Sequence, residues 1–228
     1  IGTNSNVTIN GGDVSLAAEN RTASTVKASS KQDGKASTGI GASVALHIGL
    51  GNVSRAQIED NALLTGNIDN LTISAIGSHD ASVLSEAGAA GSNIAVAPSV
   101  ALAINDDNRT VATIGTGNAL TLNGNFSAIA DHHGSTTSKA DASVAGGSTG
   151  IGAAIAITYV EDSALATTNR DLTIAGNATF AARTDSNSAA ESIASVAGGK
   201  AEEKPDGSTN STADQQISDQ FSLGSSKG

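Results

Sequence analysis

The 228-residue chain contains no cysteine, no methionine and no tryptophan. Without cysteine it can form neither a disulfide nor a thiolate. Aromatic residues make up only 2%: Phe126, Phe180, Phe221 and Tyr159. A compact globular core normally uses more bulky side chains than that. Positive charge is also scarce, with 12 Lys and Arg against 22 Asp and Glu and a net charge of −10. Phosphate recognition needs clustered positive charge, so neither nucleic acid nor an anionic membrane surface is an expected partner. The negative charge suits an extended protein that must stay in solution. No apolar run approaches the length of a membrane span, and no signal-peptide pattern opens the chain. With no methionine, and with Ile1 beginning inside a repeat-like strand, the sequence reads as a piece of a longer protein.

What the chain does have is small aliphatic residues in a repeating order. Gly39-Ile40-Gly41-Ala42-Ser43-Val44-Ala45-Leu46-His47-Ile48 returns as Ala95 to Ile104 and again as Gly150 to Tyr159. In each copy large apolar residues alternate with small ones, the period-two signature of a β-strand. Columns agree between copies: Val44/Val100/Ile155, Leu46/Leu102/Ile157 and Ile48/Ile104/Tyr159. Upstream lies a strand–Gly turn–strand pattern: Val7-Thr8-Ile9 then Val14-Ser15-Leu16, Leu120-Thr121-Leu122 then Phe126-Ser127-Ala128, and Leu172-Thr173-Ile174 then Ala178-Thr179-Phe180. These give a further column, Val14/Leu71/Phe126/Ala178. After the Ser43-type strand comes a polar corner (Gly49-Leu50-Gly51-Asn52, Asn105-Asp106-Asp107-Asn108, or Glu161-Asp162), and then a closing strand such as Val111-Ala112-Thr113-Ile114.

Matched strands with variable corners predict an all-β fold, a β-solenoid resembling a parallel β-helix, with about 55 residues per sequence repeat. The predicted division is a solenoid over 1–199, with units 6–66, 67–122, 123–177 and a partial unit 178–199. A polar cap or linker tail follows over 200–228. Whether one repeat makes one wide rung or two smaller ones is left open by the strand count. The column identities predict that Val44, Leu46, Val100, Leu102, Ile155 and Ile157 are buried, and Tyr159 is placed in a core column.

The pattern Gly-Ile-Gly-Ala-Ser/Ala-Val/Ile-Ala-Leu/Ile, with its polar corner and Thr/Arg-Ala-x-Ile strand, resembles the repeats of giant bacterial filamentous adhesins. Leukotoxin-like and filamentous-haemagglutinin-like surface proteins carry such arrays. The resemblance spans roughly residues 6–199. It implies a secreted or surface-displayed structural segment, extracellular or on the bacterial cell surface, and no enzyme. It also implies a role in adhesion or matrix assembly, with a host or cell-surface receptor or a glycan as partner. A carbohydrate-binding or carbohydrate-cleaving β-helix is the alternative.

No residue set predicts catalysis, a bound cofactor or a metal. Among His47, His79, His132 and His133, only Asp131-His132-His133 forms a cluster in sequence, and neighbours on a strand point to opposite faces. His47 shares its column with Ala103 and Thr158, which are not ligand types. The acidic corner Asn105-Asp106-Asp107-Asn108 has calcium-ligand chemistry, but the other corners do not preserve it. Gly39-x-Gly41 and Gly150-x-Gly152 precede strands and open no helix, so they are not dinucleotide fingerprints. A rung ladder with no visible cap before Val7 predicts end-to-end self-association, or continuation into neighbouring repeats.

Overall fold

The computed structural model describes residues 1–32 and 36–197. The expected tail over 200–228, and the Gly198-Gly199 link before it, lie outside the described residues. Within them the chain is all-β, a β-solenoid of stacked parallel strands.

The second and third rungs each have a short strand followed by two long ones, and the first and last described rungs follow the same plan in part. The short strands are β1 (Asn6–Asn10), β6 (Leu63–Asn67), β9 (Leu120–Leu122) and β12 (Leu172–Ile174). The first long strands are β2 (Val14–Gln32), β7 (Leu71–Gly91), β10 (Phe126–Gly146) and β13 (Ala178–Ala197). They form one broad sheet in the order β13-β10-β7-β2. The return strands are β8 (Ile94–Ile114) and β11 (Thr149–Thr168), with β3 (Thr38–Ile40), β4 (Ser43–Leu50) and β5 (Val53–Ile58) together playing that part in the first rung. They form the second broad sheet. Only Ser92 and Asn93 separate β7 from β8, and the chain changes sheets there. This is an arch: the two legs face each other through side chains and hydrogen-bond to the rungs on either side.

The register follows the repeat. Val14 pairs with Leu71, Leu71 with Phe126 and Phe126 with Ala178. Ser43 pairs with Ser99 and Ser99 with Ala154. Residues one repeat apart are therefore direct ladder partners, so one sequence repeat makes one wide rung. A 21-residue strand runs roughly 70 Å at the usual rise, while adjacent rungs are only about 4.8 Å apart.

Corners are stacked as firmly as strands. Asn70 donates its backbone N–H and its amide to Asp13 Oδ1, at 3.1 and 2.8 Å. Asn125 repeats both bonds to Asn70 Oδ1, and the Asn177 N–H bonds to Asn125 Oδ1. Each side-chain oxygen thus satisfies a turn N–H of the next rung. At the opposite corner Arg170 is buried and donates to four carbonyls: Gly115, Ala62, Glu59 and Thr116. Burial pushes its pKa down, and Asp60 acts against that shift.

The interior tapers. Where the short strand closes the rung, the core holds Ile58, Ile68, Leu71, Ile73, Ile114, Leu120, Leu122 and Phe126. Burying each such side chain contributes about 1.5–3 kcal/mol. Toward the arch the inward residues are mostly alanine, with Ala45, Ala101 and Ala103 in one cluster with Val83 and Ala140, and then Ala87, Ala89, Ala95 and Ala97 with Val144. A methyl group on Gly41 would collide with the backbone carbonyl of Gly88 in the facing sheet, so the sheets nearly touch there.

That taper overturns the predicted burial of the large column residues. Val44 is 68% exposed, Leu46 49%, Ile155 53% and Ile157 51%, while Val100 and Leu102 are half-buried. Tyr159 is half exposed as well and lies outside the core. The inward side chains are instead the small ones, Ser43, Ala45, Ser99, Ala101 and Ala103. The pleat fixes which residues share a face, and the gap between sheets decides which face turns inward. On this strand alanine and serine fill the gap, and the valine and leucine columns face out.

The polar corner after the Ser43-type strand is also not a corner. In β8 and β11 it is an irregularity within a continuing strand, and in the first rung it is a two-residue break, Gly51-Asn52, between β4 and β5. In β8 the inward residues are Ala101, Ala103 and Asn105 before it, and Asn108, Thr110, Ala112 and Ile114 after it. Asp107 has φ 57, and one extra residue shifts the parity of the strand, as a β-bulge does. In β11 the register skips at Glu161, and Val160 and Asp162 pair with Asn105 and Asn108.

Candidate functional site

At mid-length, between the Leu/Ile core and the Ala core, the interior carries polar side chains. The bulges supply one wall. Asn52 donates to Asn108 Oδ1 at 2.8 Å, and Asn108 donates to Asp162 Oδ1 at 2.8 Å. Ser186 donates to Asp162 Oδ2 at 2.5 Å. The facing sheet supplies the other wall with His79 of β7 and His132 of β10, 4% and 1% exposed.

The two imidazoles fit because of glycines on neighbouring rungs. His132 pairs with Gly77, and His79 pairs with Gly134. A methyl on Gly134 would collide with Asp162 and the His79 ring, and one on Gly77 would collide with Thr110 and approach His132. Each ring therefore lies over a position with no side chain. The rings are tilted by 43°, with centroids 5.4 Å apart. Both His79 Nε2 and His132 Nε2 face Asp162 Oδ1, at 3.6 and 3.4 Å. Those distances exceed an ordinary N–H···O bond. Among the described residues both nitrogens of His79, and Nε2 of His132, have no hydrogen-bond partner. His132 Nδ1 lies 2.9 Å from the Thr110 hydroxyl. Burial pushes the His79 pKa down, and the Asp162 carboxylate acts in the opposite direction.

A second polar line runs beside it. Ser24 Oγ is 3.1 Å from His47 Nδ1, His47 Nε2 is 3.1 Å from Asn105 Oδ1, and Asn105 donates to Thr136 Oγ1 at 2.6 Å. The Asn105 oxygen can only accept, so Nε2 carries the His47 proton. This imidazole is satisfied on both sides and packs as a structural group.

His133, next to His132, points outward between Asp131 and Asp185, as strand alternation requires. The adjacent pair does not act together. The partner of His132 is instead His79, from the rung before. The aligned segments Gly77-Ser78-His79 and His132-His133-Gly134 carried that signal, a histidine over a glycine in two columns of opposite order. Asp162 could be placed only by knowing where the bulge lies.

Two further surfaces belong to the functional description. The outward residues of β4 and β11, including Val44, Leu46, Ile48, Ile155, Ile157 and Tyr159, make a mostly apolar face, bordered on β11 by Glu161, which accepts a hydrogen bond from the Tyr159 hydroxyl. At the two ends of the larger sheet, the outer edges of β2 and β13 pair with no strand among the described residues. No described helix is long and apolar enough to cross a membrane.

No family model, curated protein or solved structure matches the chain.

Proposed function

We propose that the chain is a structural segment, a stalk or filament module of a bacterial surface adhesin that extends by stacking one rung on the next. It works outside the cell or on the cell surface, in adhesion or matrix assembly. The observation that supports this reading is the in-register parallel ladder, unbroken from β2 through β7 and β10 to β13. Such a ladder ends in rows of N–H and C=O groups that accept a further strand without altering the fold. Its growth direction is the solenoid axis, and each added rung has the same shape as the last. The resemblance to filamentous adhesin repeats points the same way.

Sedimentation and electron microscopy of the purified chain over a range of concentrations test the proposal. The expected result is concentration-dependent linear assembly that a proline at Thr25 of β2 (Thr25→Pro), whose N–H faces the open edge and not β7, suppresses. A species that stays monomeric at high concentration overturns it.

A further inference from the structure

The geometry points to a divalent metal site inside the solenoid, formed by His79, His132 and Asp162. The ion it would take is a borderline first-row cation, with Zn²⁺ as the representative. Two imidazoles and a carboxylate match the ligand preference of Zn²⁺ and are poor partners for Ca²⁺ or Mg²⁺.

Four features carry the assignment. The first is spacing. Ligand atoms sharing one tetrahedral Zn²⁺ at about 2.0–2.1 Å lie roughly 3.3 Å from one another. Asp162 Oδ1 is 3.4 Å from His132 Nε2 and 3.6 Å from His79 Nε2, too far for hydrogen bonds and close to that ligand separation. All three donor atoms fall within 4.8 Å of one another.

The second feature is the set of unused donor atoms. Buried polar atoms nearly always find partners, yet Nε2 of both histidines has none among the described residues. Both are aimed at the same carboxylate oxygen. An ion between them would engage all three at once.

The third is charge. The Asp162 side chain is 3% exposed, and its ion-pair partners among the described residues are these two imidazoles. Burying a carboxylate without an opposing charge is costly. A dication supplies that charge while using the neutral rings as ligands.

The fourth is outer support. The Thr110 hydroxyl on His132 Nδ1 can hold that ring as the tautomer with a free Nε2 lone pair. Asn108 and Ser186 fix the two oxygens of the carboxylate. His79, His132 and Asp162 come from β7, β10 and β11, so the ion would tie two successive rungs and both sheets together.

The test is Zn²⁺ content and thermal unfolding of the whole chain, loaded with Zn²⁺, dialysed and compared with a chelator-treated sample. One ion per chain and a higher melting temperature with Zn²⁺ are expected. Asp162→Asn removes a ligand charge while copying the residue already present at position 108 of the same ladder, so it should fold and lose the ion. His132→Gln should lose the ion too, and His133→Ala, on the outer face, should keep it. Substituting Co²⁺ gives a second readout, the visible absorption of a tetrahedral nitrogen–oxygen site, absent in Asp162→Asn. Sub-stoichiometric Zn²⁺ in the unaltered chain, or Zn²⁺ retained by a folded Asp162→Asn chain, overturns the assignment.

Discussion

The two broad sheets use the same small vocabulary of residues and distribute it in opposite ways. On the sheet of β2, β7, β10 and β13, the larger apolar residues Leu71, Ile73 and Phe126 face inward, while Thr72, Ser74, Asp80 and Glu86 face out. On the sheet of β4, β8 and β11, the half nearest the arch turns Ala45, Ala101 and Ala103 inward, and Val44, Leu46 and Ile157 face solvent. Both strands alternate with period two, and both are paired in register. The difference lies in available depth. The short strand holds the legs apart at one end of the rung, and nothing holds them apart near the arch. Hydrophobicity selects the inward face only where there is room for a large side chain.

The sharpest way to break this contrast is to remove bulk where depth demands it. Phe126→Ala deletes the largest fully buried side chain, whose ring also lies 5.1 Å from that of Phe180. A loss of about 3–5 kcal/mol is expected in chemical denaturation. A cost below about 1 kcal/mol would show that the wide end is not a packed core.

Adding bulk at the narrow end probes the other half. Ala101→Leu introduces a side chain no larger than its outward neighbour Leu102, but on the inner face. It should destabilise by about 1–3 kcal/mol through overpacking. A neutral result would mean that the sheets can separate near the arch.

The polar layer between the two cores should respond to pH. Burial lowers the folded pKa of His79 below its ordinary value of 6.5, so the unfolded chain binds the proton more readily. Stability from this group is therefore present above pH 6.5 and lost as pH falls from there toward the folded pKa. The slope is at most about 1.4 kcal/mol per pH unit for one proton. Asp162 raises the His79 pKa, as does Asp80, and His132 and His47 lower it. His79→Gln should flatten the stability–pH curve of the chelator-treated protein between pH 5 and 7, each point by denaturant titration; an unchanged slope would remove His79 as its source.

The smallest change in stability is expected from Leu46→Ser combined with Ile157→Ser on the outer aliphatic face. Two exposed residues away from packing features should alter stability by no more than about 0.5 kcal/mol each. Their effect should appear in light scattering at high concentration, as reduced association. A large fall in melting temperature would return the outer face to the core.

These contrasts show which parts of the molecule were legible. Ladder register was fully legible for the matched columns: Ser43, Ser99 and Ala154 are direct neighbours, as are Val14, Leu71, Phe126 and Ala178. Repetition encodes register because equivalent residues stack. Orientation was not legible, since Val44-Ala45-Leu46 alternates identically whichever face turns inward. The inter-sheet gap is set outside that alternation, by the short strands at the far end of the rung and by the close approach at Gly41. The strand lengths were partly hidden too. Asn105-Asp106-Asp107-Asn108 has turn chemistry and lies inside a 21-residue strand. His79 and Asp162 meet across that bulge, and the distance between them in sequence reflects a path around the arch that composition does not record.

The width of a rung has a mechanical consequence. In β7 and β10 the ladder bonds run parallel to the solenoid axis and are spread along 21 residues. A pull along that axis loads the whole row together, so the rungs must part all at once. A pull on a strand end across the axis meets the same bonds one after another, and each fails alone. The resistance of the stack is therefore anisotropic: it is strong in tension along the direction in which it grows and weak against peeling at its rim.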